Sequence, residues 1–288
     1  MSLRMIHPGP RAPVRMAMRQ TRLLDIEGVL PACRDLTHAL GALFAAHGCR
    51  GGVAWLDGAV CAPLRYVLPA HATDGIHGAW YSDTHQSDGP WSIGPSTATV
   101  GWKDGAPFVH CHGMWGPVQR MPRVMGHLLP AESVLARDVQ VRGIGALDAW
   151  MEAAPDPETG FVICTPKGLA PPDDASGLLL RVAPFEDAVT AIETACAALG
   201  IRDAELHGIG SIDHVHFEEG HVMACHATEL RLAGAWLAGG RAHVPIEVVD
   251  IDGRVMSGTL QRGRNPVAVT LELLIRPWIG AMRKDEFP

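Results

Sequence analysis

The 288-residue chain has little charge: Asp, Glu, Lys and Arg make up 19% of it, and hydrophobic residues 47%. That balance excludes the disordered class, whose chains carry much charge and too few apolar groups to fold. An uninterrupted apolar run of the roughly 18 residues needed to cross a bilayer as a helix is lacking. The first twenty residues hold Arg4, Arg11, Arg15 and Arg19 without a continuous apolar core and are not expected to form a secretory leader. Cys-x-x-Cys pairs are absent, and the seven cysteines are odd in number, so neither a disulfide framework nor a redox pair is indicated. They read as buried free thiols, and the expected compartment is the reducing cytoplasm. Positive charge is also short. The 24 Lys and Arg against 31 Asp and Glu leave a net charge of -7, which does not favour a polyphosphate along the whole surface and leaves only a local basic patch open.

What is present is length and internal repetition. A chain of this size points to two domains, each half long enough to bury its own core. Leu36, Ala39, Leu40, Leu43 and Phe44 trace one helical face, and Gly48 stands where that helix should end. The second half repeats the pattern with Phe185, Ala188, Val189, Ile192, Ala195, Cys196 and Leu199, ended by Gly200, after the strand-like Leu178-Leu179-Leu180-Arg181-Val182. Gly48-Cys49-Arg50 matches Gly200-Ile201-Arg202 at an offset of 152, whereas Gly126-His127-Leu128 matches Gly258-Thr259-Leu260 at an offset of 132. The first copy therefore carries about 20 extra residues, placed between Arg65 and Asp104, where His71, His77, His85, Trp80, Trp91 and Trp102 lie. A loop of this length is either solvated or a cover over a site. The expected organisation is a flexible arm at 1–20, a first domain at 21–152, a Pro-rich linker at 153–177, a second domain at 178–277 and a tail at 278–288. Within the linker, Phe161-Val162-Ile163 is a candidate short strand.

The second half closes with Ala242-His243-Val244-Pro245 and Asp252-Gly253-Arg254-Val255-Met256-Ser257-Gly258-Thr259-Leu260, and the first half with Phe108-Val109-His110-Cys111-His112 and Gly126-His127-Leu128-Leu129. Both endings resemble the PPC (plants and prokaryotes conserved) domain, whose end reads H-x-H, then D-G-R-V, then G-G-H-L. The resemblance covers most of residues 20 to 276. It implies an α+β fold, a mainly antiparallel sheet packed on a helix, here in two tandem copies. It also implies a homo-oligomer with threefold or pseudo-threefold symmetry, and a metal, zinc above all, held by histidines. In the second copy Pro245 and Thr259 stand where two of the three ligands would be, and only His243 is kept.

Strand alternation gives the same ligand set a physical basis. His110 and His112 point to one face and Cys111 to the other, and the Gly- and Pro-containing stretch 113–122 can return His127 to that face. Three imidazoles with an open fourth position are the arrangement of catalytic zinc sites, although neutral imidazole also suits copper, iron or nickel. The expected metal ligands are thus His110, His112 and His127. Three functions stand open. The first is a metal-dependent lyase or hydrolase acting on a small organic acid or ester, supported by a likeness in architecture between the PPC domain and acetolactate decarboxylase, another three-histidine zinc protein. The second is a DNA-associated regulator, and the third is a structural oligomer with a non-catalytic metal. Glu132, His71, His77 and His85 are the candidates for acid-base work, with none preferred.

Arg262-Gly263-Arg264-Asn265-Pro266 is the nearest approach to an AT-hook, but it lacks adjoining basic residues and reads as a turn. Duplex DNA should therefore bind weakly and without sequence preference. Anisotropy titrations at about 150 mM salt are expected to give no affinity in the ~10⁻⁸–10⁻¹¹ M range of specific binders.

Overall fold

Asp35 and Asp187 start the two helices that the apolar spacing predicts. Each side chain accepts a hydrogen bond from a backbone N–H three residues on, His38 and Thr190 respectively. Gly48 at φ +72° and Gly200 at φ +70° follow the helices in the left-handed conformation that glycine takes without strain. The structure, a computed structural model, describes residues 5–120 and 124–278. In chain order the principal elements of its first part are β1 Met16–Thr21, β2 Leu23–Leu30, α1 Leu36–Ala46, β3 Gly51–Trp55, β4 Trp91–Lys103, β5 Ala106–Pro117, β6 Val124–Leu128, β7 Val139–Ala146, β8 Ala149–Pro155 and β9 Val162–Gly168. There follow β10 Gly177–Val182, α2 Ala188–Ala198, β11 Ala204–Ile212, β12 Glu229–Leu232, β13 Pro245–Val249, β14 Val255–Thr259 and β15 Val267–Pro277.

The strands form two large, mostly antiparallel sheets. The first runs β2-β7-β3-β4-β5-β6 and is extended by the short strands Arg65–Val67 and His85–Gln86. The second runs β10-β15-β11-β12-β13-β14, with β1 added at the β10 edge. Leaving out those additions, the two orders are the same: first strand, last strand, then second to fifth. Helix α1 covers one face of the first sheet, burying Leu36, Leu40 and Phe44 against Ile26, Val109 and Val141. Helix α2 does the same for the second, with Val189, Ile192 and Cys196 against Leu180, Leu206 and Leu273. The opposite faces of the sheets meet, and Val53, Ile144, Leu179 and Leu274 share a third apolar cluster between them. The layers are thus helix, sheet, sheet, helix.

Two expectations need correction. Residues 1–20 are not a loose arm throughout. From Met16 the chain is strand β1, paired antiparallel with β10 so that Met16 lies opposite Val182 and Thr21 opposite Gly177. The open edge of β10 offers unpaired backbone groups, and Met16 and Met18 pack against the second core. Nor are residues 153–177 a plain linker. Here β8 and β9 form a hairpin in which Pro155 faces Val162 and Met151 faces Pro166. Prolines are tolerated there because β9 pairs with β8 alone and is an edge. The expected tail lies outside the described residues beyond Trp278. Six of the seven cysteines are buried and none is bridged, Cys33 being the exposed one. No helix among the described residues is long and apolar enough to cross a membrane.

Arg15 fastens β1 to the second half. Its guanidinium meets both oxygens of the buried Glu158, at 2.6 and 3.1 Å, and Glu186 at 3.1 Å. Burial alone would raise the Glu158 carboxyl, but Arg15 and the Ala12 N–H outweigh it and hold the group below its usual range. The stability this contributes is present above the ordinary carboxylate pKa and fades as pH falls through the depressed folded-state value. Arg15→Ala leaves Glu158 buried and unpaired and should cost about 3–5 kcal/mol. Arg11→Ala, removing an exposed partner of Glu186, should cost no more than about 1 kcal/mol. Denaturant titrations at neutral pH measure both.

Candidate metal centre

His110 and His112 project from β5 toward the second sheet, while Cys111 between them is fully buried in the first core. Strand β6 pairs antiparallel with β5 and sets His127 directly opposite His112. The three rings converge, with centroids 4.8 Å apart for His110 and His112, 4.8 Å for His110 and His127, and 5.3 Å for His112 and His127. One ring nitrogen from each lies within 4.8 Å of the others. The Nε2 atoms of His110 and His112 stand 3.1 Å apart.

The outer nitrogens face the second half. Nδ1 of His112 donates to the Leu230 carbonyl at 2.9 Å, and Nδ1 of His110 to Glu272 Oε2 at 2.9 Å. Nδ1 of His127 lies 3.7 Å from Glu229 Oε1, too far for a hydrogen bond. A carbonyl can only accept, so His112 carries its proton on Nδ1. Burial, reinforced by the neighbouring His110, pushes the His112 pKa well below normal, and the ring is neutral. Its Nε2 therefore presents a bare lone pair to Nε2 of His110. Burial likewise lowers His127, with His110 and His112 adding to the effect. Glu272, 1% exposed, also accepts from the Cys164 N–H at 3.4 Å. Burial raises the Cys164 thiol well above normal, and Glu272 raises it further.

The triad opens on a cavity of about 80 Å³ between the sheets. Trp80, Tyr81, Phe108 and Phe161 give it an aromatic wall; Glu229 and Thr270 line it from the second half. Burial raises the Glu229 carboxyl well above its usual range. Desolvation raises the Tyr81 hydroxyl, and Glu229 and Glu272 add to the shift.

The other acid-base candidates from the sequence lie elsewhere. Glu132 pairs with Arg65 at 2.9 Å on the surface. His71 stacks on His226, His85 stacks on Tyr66, and His77 bonds Asp74 beside Trp80. None of the three lines the cavity, yet the inserted segment does so through Pro69, Ala79, Trp80 and Tyr81. Sequence reasoning missed Glu229, Glu272, Cys164 and Thr270. The available signal was a single carboxylate within each of two apolar strands, Glu229-Leu230-Arg231-Leu232 and Val267–Pro277. In the second half Pro245 lies opposite Thr259, the register that His112 and His127 occupy in the first. His243 packs on Trp236. The Arg262–Arg264 stretch is a turn with Gly263 at φ +77°, and Arg262 pairs with Glu193 at 2.8 Å.

The Plants and Prokaryotes Conserved (PCC) domain family matches residues 172–279. A comparison with curated proteins gives no match. Among solved structures, a metal-containing protein from Archaeoglobus fulgidus is 18% identical, covering 51% of this chain and 96% of its own, with a TM-score of 0.39. A plant- and prokaryote-conserved (PPC) protein from Pyrococcus horikoshii is 16% identical, covering 53% of this chain and 96% of its own, with a TM-score of 0.37.

Proposed function

We propose that the chain is a tandem pair of PPC-like domains whose first copy binds one transition-metal ion, zinc by preference, through Nε2 of His110, His112 and His127, and that it acts there on a small organic acid or ester. The family match to the second half and the shared strand order of the two sheets support the tandem reading. The observation that carries the metal reading is the convergence of one nitrogen from each of the three rings to within 4.8 Å, two of those rings being held through Nδ1 by the second half. The bare lone pair of His112, 3.1 Å from Nε2 of His110, takes either a proton or an ion, and two ligands about 2.0–2.1 Å from one tetrahedral ion stand only slightly farther apart. The donor set also fits chemically. His110 and His112 have their other nitrogen hydrogen-bonded to a carboxylate and a carbonyl, as a metal-ligating histidine requires, while Nδ1 of His127 stands 3.7 Å from Glu229.

When bound, the ion supplies a Lewis acid with a position open to a carbonyl, a carboxylate or water. The chain's own residues supply the rest. The aromatic side chains make the wall apolar, and Glu229, 5% exposed with no hydrogen-bond partner on Oε2, can hold or release a proton at that oxygen. Assembly into a threefold oligomer belongs to the same reading.

Purified protein should carry one equivalent of metal by inductively coupled plasma mass spectrometry. His112→Ala should empty it, and His243→Ala should leave the content unchanged. Two equivalents in the wild type, or metal retained by His112→Ala, would refute the assignment. Glu272→Gln keeps an acceptor for His110 but removes its charge. Chelator competition should then show metal affinity about 10–100-fold weaker.

A further inference from the structure

The cavity contains polar atoms that nothing in the protein satisfies. Glu229 Oε2, Thr270 Oγ1 and His127 Nδ1 are buried without a hydrogen-bond partner, and all three residues line the cavity wall. Glu229 and Thr270 are each 5% exposed. Leaving buried polar atoms unpaired is costly, so their cluster at one cavity points to an occupant that pairs with them. The occupant is small. At about 10–15 Å³ for each water-sized position, 80 Å³ admits roughly half a dozen.

Charge narrows the class further. Among the described residues lining the cavity none is Lys or Arg, while two are carboxyls, Glu229 and Glu272. The guanidinium groups nearby stay outside the lining. Arg181, cross-strand from Glu272, faces Asp156 at 3.8 Å, and Arg15 is held by Glu158 and Glu186. A divalent ion beside the Glu272 carboxylate leaves at most one positive charge to be neutralised. A dianion would therefore bring an uncompensated charge into a buried space. An ionised Glu229 would only sharpen that exclusion.

We propose that the cavity takes a small monocarboxylate with a neighbouring hydroxyl, the carboxylate turned to the histidine triad and the hydroxyl to Glu229 and Thr270, and that it rejects phosphorylated and dicarboxylate compounds. This rests on the reading of the triad as a metal centre.

The test uses full-length protein loaded with cobalt in place of zinc. It is titrated with lactate, propionate and malonate, followed by calorimetry and by the visible absorbance of the cobalt. Lactate and propionate differ by one hydroxyl. Lactate also chelates a free ion better, so the wild-type preference alone decides nothing, and Thr270→Val isolates the protein's part. The expected result is a lactate preference of at least about fivefold, in line with one hydrogen bond, that shrinks severalfold in Thr270→Val while propionate binding stays within about twofold. Glu229→Gln, of the same shape, should also narrow the preference. Malonate should bind more weakly than lactate despite its stronger chelation. Cobalt-loaded protein that favours malonate, or whose lactate preference is untouched by both substitutions, would overturn the proposal alone. Failure of the wild type to take up cobalt or zinc would overturn the metal reading, and this proposal with it.

Discussion

The site depends on one contact, the packing of the two sheets face to face. A histidine on an isolated strand can flip its ring and exchange tautomers. Here the inner face of the second sheet brings the Leu230 carbonyl and the Glu272 carboxylate within 2.9 Å of two outer nitrogens. Those bonds choose the tautomer and aim the remaining nitrogens at a common point. The apolar cluster around Ile144, Leu179 and Leu274, which reaches the cavity through Cys164 and Phe108, holds the sheets in that register.

The two halves share a strand order but divide the chemistry. Where the first sheet sets His112 against His127, the second sets Pro245 against Thr259. What the second half contributes instead lies on strands β12 and β15, whose inward side chains include Glu229, Thr270 and Glu272. One half presents the imidazoles and the aromatic wall; the other orients two of the rings and adds the carboxyl and hydroxyl groups facing them.

Much of this was legible in the sequence wherever it depended on local periodicity. The helices ending at Gly48 and Gly200 followed from apolar spacing, and the convergence of His110, His112 and His127 from strand alternation and a return of the chain, although the strand continues to Pro117 and the stretch 113–122 is not all turn. The acceptors behind the histidines were not legible. Glu272 is 162 residues from His110 in the chain, and only the stacking of one sheet on the other brings them together. For the same reason β1 passed as a loose arm: its partner β10 is far along the chain, and three prolines precede it. The β8–β9 hairpin was hidden by prolines that an edge strand accommodates.

The order of strands carries a consequence for biosynthesis. In the six-strand order that the two sheets share, the strand made last lies inside, β7 between β2 and β3 and β15 between β10 and β11. Neither six-strand path can close until that strand has left the ribosome, and β1, made before it, waits for a partner that begins at Gly177. Because β15 also carries Glu272, the outer bond to His110 forms only after the second sheet's last strand has emerged. A nascent or truncated polypeptide can present all three imidazoles and still lack the group that orients one of them. Long-range closure of this kind folds slowly and leaves edges open meanwhile. The molecule matures at its centre last.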